Sequence, residues 1–256
     1  MIMLKFLLAL LLAALGLFAV YILFLAVCAL FVTKKEYTHN SRFYRALLCR
    51  SSAAALRFLR VRVHVSGTEL LPPGGRLLFV GNHRSNFDPI IQWTVLPQWE
   101  IAFISKEGNF HIPFFGRFIR KCCFLSIDRR SPKKSVETMR KAACLLESGE
   151  VSVGVYPEGT RSKSGELLPL HCGMFRIAQK AGAPIAVMAI SGTEQIHKNV
   201  LRRHTDVYLD ILRVLPAEHV ASMQTCDIGA EVEQLLRRSL YGEPEQPLGQ
   251  PVTDKA

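Results

Sequence analysis

The chain begins on an uninterrupted apolar run and then changes rhythm. From Phe6 to Val32 no charged residue breaks a series dominated by Leu, Ala, Phe and Val. Such a run exceeds the roughly 20 residues needed to cross a bilayer. A signal peptide carries a shorter apolar region, about 7–15 residues, ahead of a small-residue cleavage site, so this run reads as a retained anchor. From Phe43 to Leu59 the apolar positions Phe43, Leu47, Leu48, Ala54, Ala55, Phe58 and Leu59 are interleaved with basic ones. That is the pattern of a helix lying on a membrane surface. The pattern fits either one membrane helix or a two-helix membrane motif that dips into one leaflet.

Past residue 60, short apolar runs alternate with helical periodicity. Strands are predicted at Val61–Val65, Leu77–Val80, Ile101–Ser105, Cys123–Ile127, Val151–Tyr156, Ile185–Ser191 and Val207–Val214. Helices are predicted from Asp88 or Pro89 to Val95, and over Ser135–Ser148, Phe175–Ala181 and Ala230–Tyr241. Pro72-Pro73-Gly74-Gly75 marks a turn between the first two strands. The alternation predicts an α/β fold with a mixed or parallel sheet and helices on its faces. The chain divides into an anchor with its basic amphipathic helix (1–60), one catalytic domain (61–242) and a loose tail rich in Pro, Gln and Gly (243–256).

Two strand ends carry chemistry. Leu77–Gly81 runs into Asn82-His83-Arg84-Ser85-Asn86-Phe87-Asp88, which puts an imidazole and a carboxylate five residues apart. The carboxyl ends of parallel strands are where such sheets open into a substrate crevice. An imidazole takes a proton near neutral pH, and a carboxylate beside it fixes its tautomer and stabilises its cation. The bland reading is a surface histidine followed by a helix-capping Asp. The second strand end carries Tyr156-Pro157-Glu158-Gly159-Thr160-Arg161-Ser162. There Gly159 permits close backbone approach and Arg161 offers a planar fork of donors to a phosphate. Glu158 either holds that guanidinium or accepts from a substrate hydroxyl; the alternative is a plain turn with an exposed Arg.

Composition narrows the partners. A formal net charge of +11 combined with 49% apolar residues points to an anionic membrane surface or an anionic substrate. No nucleic-acid module is visible, so nucleic acid is excluded as a partner. The basic residues cluster after the apolar run (Lys34, Lys35, Arg42, Arg45, Arg50, Arg57, Arg60, Arg62), with only Lys5 before it. The positive-inside rule then places the catalytic domain on the cytoplasmic side of the membrane. Seven cysteines without a Cys-x-x-Cys pair suggest neither a zinc site nor a disulfide framework.

Taken together, the two strand-end segments resemble the glycerophospholipid acyltransferase family. Its Asn-His-x4-Asp block stands here as Asn82, His83 and Asp88, and its Phe-Pro-Glu-Gly-Thr-Arg-Ser block as Tyr156–Ser162, with Tyr for Phe. A looser block matches Lys106, Pro113, Gly116, Asp128 and Arg129, and a fourth matches Ala183-Pro184-Ile185-Ala186-Val187. The order holds over about residues 60–215. One departure is Leu170-His171-Cys172-Gly173, where the family often carries Phe-Lys-x-Gly.

The resemblance implies transfer of a fatty acyl group from acyl-CoA or acyl carrier protein to the free hydroxyl of lysophosphatidic acid, giving phosphatidic acid for phospholipid synthesis. It implies His83 as general base with Asp88 as its orienter, and no metal or resident cofactor. Glu158, Gly159, Thr160, Arg161, Lys106 and Arg129 would bind substrate, while Asn82, Ser85 and Asn86 would order the loop or donate towards the oxyanion. The missing Lys keeps other acceptors open: another lysophospholipid, a lyso-aminolipid or glycerol 3-phosphate. From other classes, a membrane-anchored thioesterase or esterase would normally show Gly-x-Ser-x-Gly, which this chain lacks. A lipid-binding protein without catalysis would not need the full set of polar residues.

Overall fold

A computed structural model describes residues 2–200 and 202–242. The tail expected at 243–256 lies outside the described residues. In chain order the elements are α1 (Ile2–Leu30), α2 (Arg42–Phe58), β1 (Val61–Ser66), β2 (Leu78–Gly81), α3 (Phe87–Val95), β3 (Ala102–Lys106), α4 (Phe115–Lys121) and β4 (Leu125–Ile127). They continue with α5 (Pro132–Glu147), β5 (Val153–Val155), α6 (Arg176–Ala181), β6 (Ile185–Ser191), α7 (Ile196–Asn199), β7 (Thr205–Leu215), α8 (Ala217–Ser222) and α9 (Thr225–Tyr241).

The strands form one seven-stranded sheet in the order β1-β7-β6-β2-β5-β3-β4. All neighbours run parallel except β6 and β7, so the sheet is mixed. β2, β5 and nearly all of β6 are buried at every position, without polar alternation. That is the signature of parallel strands covered on both faces. Helices α2, α3 and α4 pack as one group, and α5, α6 and α8 as another. Under α3 an aromatic cluster joins Trp93, Phe103 and Phe124, with ring centroids 5.7–6.2 Å apart.

The parallel arrangement decides where chemistry can occur. Because β6, β2, β5, β3 and β4 all point the same way, their carboxyl ends open on one edge. The segments after β2 and β5 emerge side by side there, although 75 residues separate His83 from Glu158 in the chain.

The apolar run forms a single continuous helix of 29 residues, α1. At 1.5 Å per residue it is about 43 Å long, more than a hydrocarbon core. Leu25, Cys28 and Ala29 are its buried residues, all in its last turns. There the Tyr44 hydroxyl donates to the Cys28 carbonyl at 2.9 Å, and Arg117 Nη1 donates to Ala29 and Val32 at 3.1 and 2.5 Å. A cation on the orphan carbonyls of a helix C-terminus satisfies them and complements the dipole. In α2, Arg45 is buried and donates to the carbonyls of Ile101 and Cys122, so one expected membrane-facing cation instead stitches α2 to the domain.

Boundaries differ from expectation for local reasons. β4 starts at Leu125 because Cys122 and Cys123 close α4, whose short span the sequence pattern did not reveal; Cys123 has φ +61°. α5 starts at Pro132, where Ser131 Oγ accepts from the Lys134 N–H at 3.4 Å. α9 starts at Thr225 and runs through Gly229, a residue that argues against a helix in sequence. Here Gly229 makes room for Cys172 and Phe175, which would lie 3.2 and 3.3 Å from an added Cβ.

Candidate active site

The His83 imidazole and the Asp88 carboxylate meet at the end of β2, with Nδ1 2.7 Å from Oδ2. The same carboxylate oxygen accepts the backbone N–H groups of Arg84 and Ser85, each at 2.7 Å, and Oδ1 accepts the Thr193 hydroxyl at 2.5 Å. Asp88 is fully buried, whereas the His83 side chain is 16% exposed. Asp88 sits in the first turn of α3, where the helix dipole also favours negative charge. Buried, it is oriented by four donors, and His83 Nε2 is left as the open nitrogen.

Around this pair the three central strands interlock. Asn82 bonds the backbone of Ile190 in both directions, accepting from N–H at 2.8 Å and donating to the carbonyl at 2.9 Å. This side chain is therefore held by β6 and fixes the loop. Ser85 is buried and accepts from the Phe87 N–H at 3.2 Å. The Ser162 N–H donates to the His83 carbonyl at 2.8 Å, tying the two motif loops together.

Glu158 departs from expectation. It is buried, with Oε1 accepting the His83 N–H at 2.5 Å and Oε2 accepting the Leu168 N–H at 2.9 Å. Among the described residues neither oxygen pairs with Arg161. The carboxylate is a clamp on backbone, because buried N–H groups require an acceptor. Burial pushes its carboxyl above the usual carboxylate range, against the opposing pull of the two N–H donors and His83.

A cavity of about 440 Å³ opens beside His83. Trp93, Phe103, Phe115, Ile119 and Phe124 form its apolar wall. Asn86, Lys106, Arg129, Gly159, Thr160 and Arg161 line it as well, so these sequence candidates converge on one space with His83. A second groove of about 760 Å³ shares Lys106, Ile127 and Arg129 with it and adds Arg130, Lys134 and Lys141 among several carboxylates. Gly159 has φ +68°, a conformation L side chains rarely adopt, and the His171 ring would stand 2.9 Å from any added Cβ. His171 thus packs beside the Gly159–Arg161 turn.

Sequence reasoning missed three residues at this site. Thr193 lies two residues past β6 in no recognisable pattern. Tyr156 stacks on His83, with ring centroids 4.1 Å apart and planes 6° apart, and its hydroxyl donates to Gln92 Oε1 at 3.1 Å. Gln92 was legible in principle, as a polar residue one turn beyond Asp88 in an otherwise apolar helix face. Burial, with the charge of Asp88 added, holds the Tyr156 phenol well above its ordinary value, so it stays neutral.

The acyltransferase family model matches residues 62–191. The chain is 29% identical over 216 residues to mouse 1-acyl-sn-glycerol-3-phosphate acyltransferase alpha, covering 82% of this chain and 73% of that one. It is 26% identical over 167 residues to the Escherichia coli 1-acyl-sn-glycerol-3-phosphate acyltransferase, covering 65% and 67%. The crystal structure of the LPA acyltransferase PlsC from Thermotoga maritima superposes with a TM-score of 0.64 at 25% identity, covering 79% of this chain and 81% of that one. With about half of the chain inside the family model, including both motif loops that build the His83 site, this protein belongs to the acyltransferase family and is an acyltransferase.

Proposed function

We propose that this protein transfers a fatty acyl group from a thioester to the free hydroxyl of lysophosphatidic acid, producing phosphatidic acid. The observation that carries the proposal is a His83–Asp88 pair opening onto a cavity with an apolar wall and cationic lining residues. The names of the relatives support the acceptor.

In the proposed step the acceptor hydroxyl attacks the thioester carbonyl while His83 Nε2 takes its proton. A C–O bond forms, the tetrahedral intermediate collapses, the C–S bond breaks, and His83 returns the proton to the departing thiolate. Asp88 stabilises the intervening imidazolium. General-base help of this kind contributes about 10²–10⁴ in rate. The apolar wall accommodates an acyl chain, and Arg161, with Lys106 and Arg129, pairs with the acceptor phosphate. The adjoining charged groove suits the anionic carrier of the donor, coenzyme A or acyl carrier protein.

The membrane supplies the acceptor. α1 is long and apolar enough to span a bilayer. The basic residues at its carboxyl end support a catalytic domain on the cytoplasmic face.

An acceptor panel tests the proposal. Full-length protein in detergent is given radiolabelled oleoyl-CoA with lysophosphatidic acid, glycerol 3-phosphate, a lysophospholipid or no acceptor. Labelled phosphatidic acid in the first arm supports the proposal. Turnover confined to another acceptor would reassign the substrate.

A further inference from the structure

We infer that Tyr156 is a positioning residue for the proposed base: its ring fixes the plane of the His83 imidazole and stabilises that ring while it carries the proton. The inference rests on the reading of His83 as general base. A single hydrogen bond at Nδ1 sets where the imidazole is held but leaves it free to swivel about that bond. A parallel aromatic face at 4.1 Å and 6° removes the swivel. An aromatic face also attracts a cation placed over it, so the stack is stronger once the ring is an imidazolium.

The ring that does this is itself braced. Phe103 stacks near Tyr156, 5.6 Å away with planes 15° apart. Phe103 in turn occupies space that only Gly154 leaves open, because an added Cβ there would press into its ring. The Tyr156 hydroxyl is held by Gln92, a fully buried side chain whose Nε2 finds no partner among the described residues. A buried amide left half unsatisfied is costly, and its visible service here is to hold that hydroxyl. The structure therefore divides the residue into two parts: the hydroxyl anchors, and the ring acts on His83.

The charged groups around the imidazole are Asp88 at Nδ1, Glu158 at the His83 backbone N–H, the neighbouring Arg84, and Arg161, Lys106 and Arg129 along the cavity. Substitutions at 156 leave all of them in place. The test compares kcat, both KM values, the pH profile of kcat/KM and the melting temperature for wild type, Tyr156→Phe, Tyr156→Leu and His83→Ala, all full-length in detergent. Tyr156→Phe keeps kcat within about twofold but melts lower, since Gln92 loses its partner. Tyr156→Leu loses about tenfold or more in kcat with the acceptor KM little changed. Its acid limb moves to lower pH, because the protonated ring is no longer stabilised. Pentafluorophenylalanine at 156 keeps the ring shape, inverts its quadrupole and shows the same limb shift, which covers a Leu variant that fails to fold. Wild-type kcat and pH profile in the Leu and fluorinated proteins, with His83→Ala inactive, would overturn the inference alone. An active His83→Ala would overturn the base assignment beneath it.

Discussion

Replacing Asp88 by Asn separates the charge of the carboxylate from its geometry. Its Oδ2 faces three N–H donors, from His83, Arg84 and Ser85, while Oδ1 faces the Thr193 hydroxyl. An asparagine has one stable way to sit there. Its oxygen must face the three donors, because an amide N–H₂ aimed at two backbone N–H groups 2.7 Å away would set donor against donor. Its nitrogen then donates to Thr193, whose hydroxyl can turn and accept. Asp88→Asn therefore keeps the His83 tautomer and the fold, and removes only the negative charge. At an effective dielectric of 20, a carboxylate about 4 Å from an imidazolium is worth about 4 kcal/mol. That is close to three decades in rate at 1.36 kcal/mol per decade. The expectation is a kcat lower by about 10²–10³, with acceptor KM nearly unchanged and the melting temperature within a few degrees of wild type. Asp88→Ala would strand all four donors, at about 1–3 kcal/mol each, and unfold much of the protein. The assay is acceptor-dependent thiol release beside a thermal melt. A kcat within threefold of wild type for the Asn variant would refute the electrostatic role of Asp88. A collapsed melting temperature would show the carboxylate to be chiefly structural.

Two further predictions follow from the neighbouring motif. Arg161→Gln removes the charge-assisted bond proposed to the acceptor phosphate, worth about 1.5–3 kcal/mol, so the acceptor KM is expected to rise about 10–100-fold while kcat changes little; an unchanged acceptor KM in steady-state kinetics contradicts the assignment. Glu158→Gln offers one acceptor where two backbone N–H groups need one each, so the protein loses about 1–3 kcal/mol on chemical denaturation. Because burial raises the folded carboxyl above its unfolded value, the native state holds the extra proton, and wild-type stability falls as pH rises from the unfolded value through the folded one. The Gln variant lacks this titration and shows a flatter profile across that window; an identical slope would contradict it.

Much of this organisation is written locally in the chain. The charge-free run before Val32, the strand cores and the two motif loops follow from periodicity and turn chemistry. So does the convergence of His83, Arg161, Lys106 and Arg129, since each lies at or just beyond a strand's carboxyl end. What the sequence does not show is set by strand order. That β6, β2 and β5 lie together decides that Thr193 reaches Asp88, that Asn82 is occupied by Ile190, and that Glu158 reaches back to the His83 N–H. In sequence, Glu158 is a carboxylate beside an arginine and reads as its partner; only the crossing of the chain shows two unpaired N–H groups competing for it. Arg45 misleads in the same way. A cation among basic residues near an anchor reads as membrane-facing, yet it is buried on the Ile101 and Cys122 carbonyls. Polar groups that satisfy distant backbone leave no periodic trace.

In the proposed reaction His83 activates the acceptor's hydroxyl and no protein nucleophile takes part. This is tested most directly by thiol release from oleoyl-CoA, with and without lysophosphatidic acid, in wild type and His83→Ala. Release is expected in wild type only when acceptor is present, in step with phosphatidic acid formation, with a loss of about 10²–10⁴ in His83→Ala and the melting temperature kept. Equal release without acceptor, or turnover retained by His83→Ala, would contradict it.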